Sequence, residues 1–265
     1  MYPETLNKSN VGLFKGKKRS IDKTDGENAT LESPAGTDDP HALSHHIFPL
    51  FKGLKENEIN IINRRVVKKQ FDPRQYVYFP GEGHNHIYFI ASGNVEMGIL
   101  DKNGRELIVD VLGRGEIFGA SIGAGISTGY ARTLSDTVLF TMDKVEFDEI
   151  LQKYPRVAYK LLKLLTFKMN LMQQKIESLV FRGVRSRICY QLLRLYKKSG
   201  NDKTGYIGIQ LTHQDLANMV GSSRETTSLH LSQLRRDGII AYNRRQFRIV
   251  SVPQLRRQMN CDGVS

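Results

Sequence analysis

The side chains best suited to chemistry fall in one short run, Ser222-Ser223-Arg224-Glu225-Thr226-Thr227-Ser228-Leu229. Arg224 carries a planar donor fork that fits a paired acceptor such as guanine O6 and N7. Glu225 is an acceptor of the kind that meets an exocyclic amine such as cytosine N4. Ser223, Thr226 and Ser228 add hydroxyls, and Arg244 and Arg245 add two cations downstream. Such groups hold phosphate oxygens and position a polyanion without reading it. Leu229 offers an apolar surface of the type that contacts a thymine methyl. No Ser/His/Asp arrangement, paired-carboxylate motif, phosphate-binding glycine loop or zinc-ligand spacing stands out in the chain. The pattern therefore argues against an enzyme.

Those side chains need a helix to present them. Thr212 with Asp215 reads as a capping box opening one helix, which Gly221 ends. Ser222 with Glu225 reads as a second capping box, opening a helix that buries Leu231 and Leu234 and closes at Gly238. His230 is expected to pack inward. Ile239 to Tyr242 and Phe247 to Val250 then form a hairpin around Asn243-Arg244-Arg245-Gln246. Helix, glycine turn, helix and basic hairpin together predict a winged helix-turn-helix.

Upstream, Leu162, Leu165, Met169, Met172, Ile176 and Leu179 follow a spacing of 3, 4, 3, 4 and 3. This is a coiled-coil seam, expected to form a dimer interface. Lys163, Lys168 and Lys175 lie off the seam, and Leu161, Leu164 and Leu171 give a second apolar flank. Before this helix come short alternating segments at roughly ten-residue spacing: 66–71, 76–79, 87–91, 95–100, 107–112 and 137–142. They predict an antiparallel sandwich or barrel. Residues 1–44 read as a disordered tail, with a basic cluster at Lys15 to Arg19 and an acidic, Gly/Ser-rich stretch after it.

The chain of 265 residues has a net charge of +12. Residues 184–265 hold fourteen Lys and Arg against five Asp and Glu, so +9 of that excess sits on the predicted helix-turn-helix. Charge concentrated there favours phosphate neutralisation and double-stranded DNA as partner. Two cysteines, Cys189 and Cys261, cannot make a disulfide framework. No run of 18 apolar residues is present, so no membrane span is expected, and a reducing cytoplasmic setting is.

The order of parts resembles the Crp/Fnr family of bacterial transcription regulators, over about 47–250. The stretch Leu211 to Ser228 carries the likeness most specifically. Tyr88-Phe89-Ile90 before Ser92-Gly93-Asn94-Val95, and Gly113-Arg114-Gly115-Glu116-Ile117-Phe118-Gly119, add to it. The resemblance implies an α+β chain. A double-stranded β-roll sensor (45–152) precedes a long dimerisation helix (153–182) and a winged helix-turn-helix (183–265). It also implies a homodimer on a palindromic operator, control by an effector in the β-roll, and RNA polymerase as a further partner. The family often has a second arginine five residues after the first; here that place is Leu229.

The effector region departs from the family pattern for cyclic AMP. The resemblance places the pocket at Gly119, Ala120, Ser121, Ser127, Thr128, Arg132, Met172 and Gln173. Ala120 stands where those relatives have a ribose-binding glutamate, and Ser127-Thr128 where they have a phosphate-binding arginine and its neighbour. Arg132 also matches a structural arginine of the family. Cyclic AMP is therefore not expected as effector. The iron–sulfur branch is excluded, because the first 188 residues contain no cysteine. Two alternatives stay open: a haem-sensing member using His84, His86 or the His41, His45, His46 group, and an effector-independent regulator. The cofactor is thus unknown at this stage.

Overall fold

The computed structural model describes residue 43 and residues 47–80, 85–119 and 129–259. The chain begins its described course with a 3-10 turn, Pro49–Phe51, and helix α1, Glu56–Asn63. Eight strands follow: β1 Val67–Phe71, β2 Tyr76–Tyr78, β3 His86–Ser92, β4 Val95–Leu100, β5 Glu106–Leu112, β6 Ile117–Gly119, β7 Gly129–Thr133 and β8 Thr137–Asp143. They form two antiparallel four-stranded sheets, in the orders β1-β8-β3-β6 and β2-β7-β4-β5. The expected α+β architecture is thus present. Strands β6, of three residues, and β7, of five, lie outside the segments read from the sequence.

Strand β3 explains the layering. Its five central residues are all buried, since both of its faces are covered. Tyr88 and Ile90 join Phe71, Tyr78, Val95, Leu112, Phe118 and Leu139 between the sheets. Ile87 and Phe89 point the other way, into a core with Phe48, Phe51, Phe140, Phe147 and Leu161. The β3–β4 hairpin turns on Gly93, whose φ is +86°. A Cβ there would lie 2.4 Å from the Asp136 carbonyl oxygen, so no other residue fits without movement.

Helix α2, Lys144–Lys153, leads into α3, Pro155–Phe181, a helix of 27 residues. Proline at the first helical position costs no hydrogen bond and presets φ. Val157 and Leu161 bury against the first sheet. The opposite side is exposed: Leu162 is 60%, Met169 72% and Ile176 61% accessible.

Helix α4 spans Val184–Ser199, α5 His213–Val220, α6 Arg224–Arg236 and α7 Val252–Gln258. Strands β9, Ile240–Tyr242, and β10, Phe247–Ile249, form the wing. The segment 206–211 makes only isolated bridges, at Ile207 to Gly200 and Tyr206 to Arg248. Helix α7 had no clear sequence signal; it is a seven-residue helix capped by Ser251 that buries Leu255.

Candidate functional site

Helix α5 is built from both ends. Thr212 Oγ1 accepts from the Asp215 amide at 3.1 Å, and Asp215 Oδ2 accepts from the Thr212 amide at 2.7 Å. This is the expected capping box. At the far end Gly221 takes a left-handed φ of 61°, which lets the chain reverse into α6. The N-cap of α6 is Ser223, one residue later than the sequence suggests. Its Oγ accepts from the Thr226 amide at 3.1 Å. Glu225 is exposed, and hydrogen bonding to its own amide and to Ser223 holds its carboxyl below the usual range.

Helix α6 buries Thr227, Leu231 and Leu234 and exposes Arg224, Glu225 and Leu229, with Thr226 half-buried. Ser232 and Arg236 extend the same exposed stripe at helical spacing, positions the sequence reading did not single out. Ser228 is corrected: its Oγ lies 2.9 Å from His213 Nδ1, so it joins α6 to α5 instead of facing out. His213 also packs its ring against Tyr242 and Phe247 of the wing. Burial, and then Arg224 nearby, holds His213 below the usual histidine range. His230 is half-buried, with Nδ1 3.2 Å from Gln233. Arg244 and Arg245 are exposed at the wing tip.

The helix-turn-helix is docked on its own β-sheet. Arg74 pairs with Asp215 through both nitrogens, at 2.7 and 2.6 Å. Asn218 Nδ2 donates to Glu106 at 2.9 Å. Arg194 pairs with Asp110 at 2.6 Å, and Lys198 donates to the Val111 carbonyl at 2.6 Å and pairs with Glu116. Lys175 of α3 donates to the Met219 carbonyl near the α5 C-terminus. Ile108, Val111 and Leu134 of the sheet share one core with Leu192, Leu216, Met219 and Leu234.

A cavity of about 660 Å³ lies beside α3, between it and the edges of both sheets. Gly119 and Met172 line it. Arg132 and Gln173 do not, and both are corrected. Gln173 is exposed on α3. Arg132 lies on the other side of β4 and β5, bound to buried Glu96 at 2.5 Å and to Glu106 at 3.1 Å. It lines the cleft between sheet and helix-turn-helix with Arg74, Asp215 and Arg245. Burial pushes Glu96 up to about 7 against the pull of Arg132. Ala120, Ser121, Ser127 and Thr128 lie outside the described residues, as do His41, His45, His46 and His84; His86 is exposed on β3.

Strand β5 is the wall shared by cavity and docked domain. Its register jumps where Met97 pairs with Asp110 and Gly98 with Ile108, leaving Val109 as an extra residue. The bulge turns Val109 and Asp110 to the cavity while Ile108 and Val111 enter the core of the DNA-binding domain. On α3, Leu165, Met169 and Met172 reach the cavity rim and are also exposed. Leu179 departs from the seam: its Cδ2 lies 3.1 Å from where a Gly221 Cβ would stand, so it faces the helix-turn-helix.

Residues 186–258 match the model for the Crp-like helix-turn-helix domain, and residues 68–154 match that for the cyclic nucleotide-binding domain. The chain belongs to the Crp/Fnr family of transcription regulators. It is 27% identical over 194 residues to the cyclic AMP receptor protein of Thermus thermophilus, covering 72% of this chain and 88% of that one. FixK2 from Bradyrhizobium japonicum superposes with a TM-score of 0.67 at 20% identity, covering 73% and 96%. The c-di-GMP responsive regulator CLP of Xanthomonas campestris superposes at 0.65 with 23% identity, covering 75% and 100%. This Crp/Fnr regulator is therefore a DNA-binding protein and not an enzyme. No described helix is long and apolar enough to cross a membrane. Among the described residues no cluster of His, Cys, Asp and Glu could hold a metal ion.

Proposed function

We propose that this chain works as a homodimer on a palindromic operator, with a signal entering at the β-roll cavity. The observation that carries the reading is the face of α6, where Arg224, Glu225 and Leu229 stand exposed beside the basic wing tip. Arg224 reads guanine, Glu225 accepts from cytosine, and Leu229 contacts a thymine methyl. Ser223, Thr226, Arg244 and Arg245 hold phosphates. The exposed seam of Leu162, Leu165, Met169, Met172 and Ile176 meets the same seam of a second copy.

The signal is not cyclic AMP. Arg132, the nearest arginine after the pocket loop, is occupied by Glu96 and Glu106 away from the cavity. Control passes from the cavity through β5 and α3 to the docked helix-turn-helix, and RNA polymerase is the partner that reads the bound complex. Selection of a randomised palindromic library by gel shift tests the DNA reading. Half-sites about 34 Å apart are expected, and enrichment of no motif would refute it. Micromolar binding of cyclic AMP in isothermal titration would refute the effector statement.

A further inference from the structure

Three described side chains lining the cavity carry charge: Asp110, Lys168 and Arg194. Asp110 and Arg194 neutralise each other at 2.6 Å. Lys168 forms no ion pair among the described residues. Its Nζ donates to the Ile117 carbonyl at 3.3 Å, beyond the usual length of such a bond. Burial holds its ammonium below the ordinary lysine range; Asp110 and Glu116 pull it up, and Lys198 pushes it down. The rest of the described wall is largely aliphatic and aromatic, with Ile99, Val109, Phe118, Leu161, Leu164 and Met172. A cation facing such a wall with one neutral acceptor is poorly compensated. Lys168 is half-buried, and an anion meeting it there would form a charge-assisted hydrogen bond.

Resting on the reading of this cavity as the effector site, we infer that its ligand is an apolar carboxylate, a fatty or arylalkanoic acid, with its head on Lys168. The tail lies along Leu164, Met97 and Ile99 toward β4. A volume of about 660 Å³ suits a small molecule. A ribose or base would bring polar groups that this wall leaves unpaired. The carboxylate arrives beside Asp110 and Arg194, which tie β5 to α4 of the DNA-binding domain, so occupancy is felt where the two domains join.

Isothermal titration of the full-length protein with sodium decanoate, sodium 4-phenylbutyrate, 1-decanol and cyclic AMP tests this. At least one of the two carboxylates is expected to bind, and which one identifies the tail. Decanoate should bind more tightly than decanol if the acyl arm is right. Lys168→Met should weaken the carboxylate by about tenfold or more and leave decanol unchanged; Lys168→Arg should retain most of the affinity. Failure of both carboxylates to bind, or equal binding by wild type and Lys168→Met, overturns the inference. Should Lys168→Met not fold, the wild-type decanoate-to-decanol ratio and Lys168→Arg still decide. Carboxylate binding that leaves operator affinity unchanged in a parallel gel shift would sink the effector reading while the ligand class stands.

Discussion

Arg74 and Asp215, 141 residues apart, meet in a two-point ion pair at 2.7 and 2.6 Å. Arg74 is the one described non-glycine residue with positive φ, at 69°. A left-handed backbone costs about 1 kcal/mol or more and persists where its surroundings hold it. Here its amide donates to the Thr133 carbonyl at 2.9 Å, and its side chain reaches the DNA-binding domain. Asp215 at the same time caps α5. Burial raises its carboxyl, and Arg74 with Thr212 more than offset that, leaving it below the usual range. One carboxylate thus shapes the helix-turn-helix and fastens it to the sheet.

Arg74→Ala should loosen that attachment. Asp215 keeps its Thr212 bonds, and Arg74 is partly solvated, so a loss of about 1–2 kcal/mol is expected in urea unfolding. Protease cleavage near Arg182-Gly183, between α3 and α4, should rise with it. Arg74→Lys should recover only part of the loss, since an ammonium cannot match both oxygens. Unchanged unfolding and cleavage in Arg74→Ala would mean the pair is incidental.

On DNA, Arg224→Ala and Arg245→Ala should differ in kind. The first should cost roughly 1–3 kcal/mol at one base pair and relax preference there. The second should weaken all sequences alike and lower the salt slope by about one. Library selection at two salt concentrations separates them; identical profiles would contradict the assignment of Arg224 to base reading.

The α3 seam predicts a self-association that a single charge can break. Met169 is 72% exposed, so Met169→Glu should leave the single chain's folding unchanged and abolish the dimer. Sedimentation velocity with circular dichroism checks both halves of that statement. A variant that stays dimeric would move the interface elsewhere.

Lys175 gives a pH dependence with a definite sign. Burial, then repulsion from Arg194, lowers its ammonium to about 8 from the ordinary 10.5. The unfolded chain therefore binds more protons between those values, and this residue makes stability rise with pH from about 8 to 10.5. Below pH 8 its full cost is present. Lys175→Met should raise stability at pH 7 by roughly 1–3 kcal/mol and flatten the alkaline rise. Thermal melts across pH 7 to 10.5 would contradict this if the two proteins ran parallel.

What could be read in advance follows from the range of the interactions. The α5–Gly221–α6 turn is local, written in Thr212, Asp215 and Ser223 within a dozen residues. The seam of α3 is local too, apart from Leu179, whose partner Gly221 comes from a later element. The cavity was only partly legible. Lys168 looks like any solvated lysine off a seam, and Ile117 lies 51 residues before it. Arg132 was misplaced for the same reason: Glu96 and Glu106 claim it through pairing of β7 with β4 and of β4 with β5, which no spacing reveals. Ser228 failed because its hydroxyl could face either way until His213 was positioned.

The shared core around Ile108, Val111 and Leu134 has a consequence for how the protein comes apart. A fragment cut at Gly183 would leave Leu192 and Met219 without part of their packing and present a greasy scar to solvent. The two halves should therefore melt in one cooperative transition, with coincident calorimetric and van't Hoff enthalpies. Transplanting its DNA-binding part onto another sensor would therefore require rebuilding that wall.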